Sequence, residues 1–192
     1  MPVSARLPKL MRATLAILAL AVLLSSVSLA RAGSARISPI TVALDGDRVL
    51  AAFALRDGFD RRLRSRIESG LPTPILYHVE LHRDRKRWYD QKLQESSLEV
   101  TAMYDAVARV YNVHFKLDDK LIESRTLHDL RAVEEAMTRI GPLPVFQLAG
   151  VPPRWRLLLK IQAEMGSRTI LAVIPVTIDT DWKDSPKFNI PQ

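Results

Sequence analysis

The sequence predicts a mainly β fold of the α+β kind: an antiparallel β-sandwich or strongly curved sheet with two short amphipathic helices. Three observations lead there. Alternating or β-branched runs recur between residues 40 and 178, separated by turn residues. Helical periodicity shows only twice, at residues 59–67 and 130–140. Strands that follow one another without an intervening helix pair antiparallel, because parallel neighbours need a long crossover. About eight to ten strands are expected on these grounds.

Taken in order, residues 40–44 alternate, Asp45-Gly46-Asp47 turns, and residues 49–55 run back, which is a hairpin signal. Asp57 or Asp60 caps a short helix that Gly70 and Pro72 end, with Phe59, Leu63 and Ile67 as its apolar stripe. From Tyr77 onwards, Tyr77, Val79 and Leu81 face one way and His78, Glu80 and His82 the other. Residues 83–87 form an exposed turn or strand end, and Trp88-Tyr89 begins the return. Residues 98–107 are the next strand, and residues 109–115 continue it or pair with it. Asp118-Asp119 turns into a short strand over 121–125. Thr126-Leu127-His128-Asp129 has the form of a capping box. The helix behind it carries Leu130, Val133, Met137 and Ile140, and Gly141-Pro142 stops it. Pro152-Pro153 marks a loop, strands follow over 155–165 and 169–178, and residues 179–192 read as a flexible tail.

The start of the chain has the three parts of an export signal. Arg6, Lys9 and Arg12 precede an apolar run over residues 13–24, and Ala30-Arg31-Ala32 offers the small-x-small pattern of a cleavage site. Residues 1–32 are thus expected to be a signal peptide cut after Ala32, with 33–39 a short leader and 40–178 a single β-rich domain. The alternative is an uncleaved anchor in the inner membrane, since residues 13–30 are just long enough to span. Without cysteine there is no lipid attachment site and no disulfide. The chain has 28 Lys+Arg against 21 Asp+Glu, and loss of the four cations in residues 1–32 leaves 24 against 21. The high pI therefore mostly describes the signal, and nucleic acid is not an expected partner.

Four segments carry a family likeness. They are Ile67-Glu68-Ser69-Gly70-Leu71-Pro72, Arg85-Lys86-Arg87-Trp88-Tyr89, Tyr104-Asp105-Ala106-Val107-Ala108-Arg109-Val110-Tyr111, and Ala132-Val133-Glu134-Glu135-Ala136 before Ile140-Gly141. In order and spacing they resemble a bacterial family of exported proteins, the domain of unknown function family 4390. The resemblance implies a single exported domain from a Gram-negative-type bacterium, and the signal makes the periplasm or cell envelope its expected address. It implies no activity, and no catalytic residue carries over. Similar proteins close with aromatic-rich strands, whereas Trp182 here sits in a charged ending.

His78-x-Glu80-x-His82 is the sharpest chemical candidate, because strand residues two apart share a face about 6.5–7 Å apart and an adjacent pair can ligate one metal. His78 and His82 are then about 13 Å apart, so a third ligand such as His114 or His128 is required. The bland reading is the solvated face of a half-buried strand. Arg61, Arg62, Arg64 and Arg66, with Arg85 and Arg87, are candidates for an anionic-surface patch; the bland reading is an ordinary charged exterior. Asp179, Asp181 and Asp184 lack the glycine and closing glutamate of a calcium loop. There is no Gly-x-Ser-x-Gly elbow, no cysteine nucleophile and no glycine-rich phosphate loop. The leading expectation is a non-enzymatic binding or assembly module with an envelope protein or lipid partner and no cofactor. The alternatives are a metal-binding protein or metal-dependent hydrolase using His78, Glu80 and His82, and a membrane-surface binder using the arginine helix.

Overall fold

The structure is a computed structural model that describes residues 35–85, 89–170 and 174–190. The expected signal, with Ala30 and Ala32, lies outside the described residues, as do Lys86, Arg87 and Trp88. Two antiparallel sheets face each other across one core. The smaller is built on β3 (Arg48–Arg56). One edge of β3 pairs with β1 (Arg36–Ile37) and β2 (Thr41–Asp45), the other with β8 (Arg139–Gln147). The larger runs β10-β9-β4-β5-β6-β7 and is not closed. Its strands are β4 (Thr73–Arg83), β5 (Gln91–Asp105), β6 (Val110–Leu117), β7 (Lys120–Leu127), β9 (Arg156–Ile170) and β10 (Ile174–Asp179). The mainly β architecture read from the sequence is the one observed.

The hairpins form where turn chemistry permits. Gly46 takes φ +62° in the β2–β3 turn, a backbone conformation that costs other residues energy. Asp118 and Asp119 both have positive φ, 48° and 63°, between β6 and β7, as a tight two-residue hairpin requires. The Asp118 carboxylate also accepts from the Ser97 backbone N–H at 2.9 Å and the Ser96 hydroxyl at 3.0 Å, tying the turn to β5. Alternation then fills the core: Val49, Ala51, Phe53 and Leu55 of β3 face Ile75, Tyr77, Val79 and Leu81 of β4. The Phe53 and Tyr77 rings meet edge to face at 5.1 Å.

Helix α1 (Arg61–Glu68) is capped by Asp60, whose carboxylate accepts from Leu63 N–H at 2.8 Å, and it buries Leu63 and Ile67. Helix α2 (Leu130–Thr138) buries Val133, Ala136 and Met137. Its cap is Asp129, which accepts from Ala132 N–H at 2.8 Å. The capping box expected from Thr126 does not form, because Thr126 still belongs to β7 and pairs with Asn112. Nor does Gly141-Pro142 leave a loop: β8 begins directly after α2 and carries Gly141, Pro142 and Pro144. Two register shifts against β3 and its place at the sheet edge absorb these residues.

The ending differs most from expectation. Residues 183–184 form β11 (Lys183–Asp184) and residues 188–189 form β12 (Phe188–Asn189), both paired with β9. The Ser185 hydroxyl accepts from Leu159 N–H at 2.9 Å, and the Thr180 hydroxyl from Ala163 N–H at 3.0 Å. These bonds and the Lys187–Asp84 ion pair at 2.9 Å hold residues 179–190 along β9 in place of a free tail.

Candidate functional site

The second face of the large sheet is polar. Register aligns its side chains in rows that cross the strands: Leu76 lies opposite Glu99 and Glu164, His78 opposite Ser97 and Gln162, and Glu80 opposite Glu95 and Lys160. Over the middle row lies a cleft of about 530 Å³ lined by His78, Glu80, Glu95, Ser97, Asp118, Gln162 and Trp182. Trp182 stands on the wall because β11 continues alongside β9, with Lys183 opposite Ile161. Trp182 is 42% exposed, enough to offer an aromatic face.

The floor is held by neighbours. The Gln162 amide donates to the Thr180 carbonyl at 2.8 Å. His78 Nε2 lies 3.5 Å from Glu164. Glu80 accepts from His82 Nε2 at 2.7 Å and from Lys92 at 3.2 Å, and Lys92 also donates to Glu95 at 2.7 Å. Burial by itself would raise the Glu80 carboxyl, but the hydrogen bonds from His82 and Lys92 and their charges hold it below its ordinary value. The Lys92 ammonium is raised by its bonds to Glu95 and Glu80. Glu80 is therefore an ionised acceptor near neutral pH.

The structure brings Glu80 to His82 but turns His78 toward Glu164. His82 is buried, with no hydrogen-bond partner for Nδ1. His114 hydrogen-bonds Ser124 at 2.9 Å and sits opposite Thr101, while His128 follows β7. Among the described residues no group of three or more His, Cys, Asp or Glu is placed to hold a metal ion.

Among the described residues, the candidate arginines lie toward opposite ends of β4. The α1 arginines lie near the start of β4, where Arg62 and Arg66 flank Thr73 and Pro74. Arg85 follows the far end of β4, a strand of 11 residues, hence roughly 35 Å away at about 3.3 Å per residue. Arg62 donates to the Met165 carbonyl at 3.3 Å, Arg64 pairs with Glu134 at 3.2 Å, and Arg85 bonds Gln91. Arg61 and Arg66 are exposed.

Sequence reasoning named His78 and Glu80 but missed Ser97, Asp118, Gln162 and Trp182. A tryptophan among charged residues at 181–184 was the one available signal.

The fold and this cleft define a β-sandwich with a concave polar surface on one sheet. Residues 32–182 match the family model described as Domain of unknown function (DUF4390), and the chain belongs to that family. No curated protein and no solved structure matches the chain.

Proposed function

We propose that the domain is a non-enzymatic binding module of the bacterial cell envelope, exported by residues 1–32, with the cleft beside Trp182 as its binding site. The observation that carries this reading is the cleft's make-up: an exposed aromatic face over strand-anchored polar groups. Such a surface suits a ligand with a flat apolar side to stack on Trp182 and hydroxyl or ammonium donors for Glu80, Glu95 and Asp118. Three lining carboxylates oppose a polyanion by like-charge repulsion. Catalysis is less well supported, because a general acid needs a raised pKa and Glu80 is held low by its partners.

The test titrates three ligand classes into the protein: a neutral oligosaccharide, a polyamine and a polyphosphate. Tryptophan fluorescence and thermal melting are followed for the native chain and for Trp182→Ala. Saturable binding of the sugar or the amine, weakened about tenfold by the substitution, is the expected result; that is about 1.4 kcal/mol. Equal binding by both proteins, or none of either class, overturns the reading. The address is checked separately by N-terminal sequencing of envelope-fraction protein, which is expected to begin at Gly33.

A further inference from the structure

Among the described residues β7 forms one edge of the large sheet, and we infer that two copies of this chain join through it, antiparallel, about a two-fold axis at Ser124. Seven of its eight residues are exposed, with Leu121 60% and Ile122 46% exposed although apolar. An edge strand of this length offers a row of backbone donors and acceptors to another strand. Natural edges are often blunted by like charges; this one carries opposite charges two apart, Glu123 and Arg125, whose side chains already pair at 2.6 Å.

That spacing decides the occupant. In a two-fold antiparallel pair one residue lies opposite its own copy, and residues equally far on either side lie opposite each other. With Ser124 on the axis, Glu123 faces Arg125 of the second copy on both sides of the axis. Leu121 then faces Leu127 and Ile122 faces Thr126. Moving the axis to Glu123 or to Arg125 sets a like charge against itself, which destabilises a sheet pair. The strand is thus complementary to itself in one register, and joining it would make a continuous sheet of two subunits. The Ile122 bulge against β6 lies outside the charged centre of this contact. None of the β7 residues, Lys120–Leu127, lines the Trp182 cleft, so the two surfaces are tested independently.

Two measurements on the full chain test it. The chain has no cysteine, so Ser124→Cys introduces a single thiol. Residues directly opposite in an antiparallel pair have Cα atoms about 4.5–5.5 Å apart, within the roughly 4.4–6.8 Å that a disulfide spans. Mild oxidation is expected to give a covalent dimer of Ser124→Cys. It should leave Val107→Cys, at the exposed β5–β6 turn, monomeric. The second measurement is mass by light scattering at about 100 µM, where a micromolar contact is saturated. The native chain should appear at twice its monomer mass, and Glu123→Arg and Arg125→Glu should each be monomeric. An equal mixture of the two should recover the dimer, because each restores the other's opposite charge. A monomeric native chain, or a Ser124→Cys chain that crosslinks no faster than Val107→Cys, overturns the inference. So does a mixture that stays monomeric while both variants melt like the native protein.

Discussion

Tyr77 shows how much one side chain can settle. It is fully buried on β4, its ring meets Phe53 of the opposite sheet, and its hydroxyl donates to the Met137 carbonyl at 2.8 Å. One residue thereby joins both sheets and the end of α2, and burial raises the hydroxyl's pKa so that it stays a donor. Tyr77→Phe keeps the packing but leaves that carbonyl without its donor. The expected loss is about 1–2 kcal/mol in urea unfolding, with the slope unchanged. Glu80 gives a pH prediction. Its folded pKa lies below the ordinary 4.5, so its contribution is complete above about 4.5 and is lost as pH falls through the folded value. Glu80→Gln should flatten the stability profile in that acid window and change its shape little at neutral pH. A mutant profile parallel to the native one throughout would contradict the assignment.

At the scale of elements, the β6–β7 turn places Asp119 at φ 63°, in the left-handed region that favours glycine. Asp119→Gly gives the Asp-Gly pair that such turns favour, and thermal unfolding should register a gain of about 0.5–1 kcal/mol. Asp118 must keep its side chain, since it binds Ser96 and Ser97. The elements most legible from sequence were those whose local pattern agrees with their surroundings. The β2–β3 hairpin, the alternation from Tyr77 to Leu81 and the Leu63/Ile67 stripe all stand as read. β8 was not legible, because proline and glycine signal a break locally and only an edge position beside β3 makes them tolerable. β11 and β12 were missed for a related reason. Two-residue strands have no period to detect, and their order comes from β9 rather than from their own sequence.

Across the domain, the candidate site was legible only in part. The shared face of His78 and Glu80 follows from strand period. The presence of Ser97 and Gln162 beside them depends on the registers of β5 and β9, which no local pattern specifies. Trp182 arrives only because residues 179–190 run back along β9. That last arrangement also has a consequence for the order in which the chain matures. β9 is synthesised before the segment that covers its edge, so a nascent chain ending near residue 170 presents 15 strand residues with one side unpaired. Unpaired edges of this kind are where incomplete chains aggregate. The few residues around Thr180 and Ser185 therefore act as a closing stitch, and the domain's exposure to misassembly is set by how long that stitch takes to arrive.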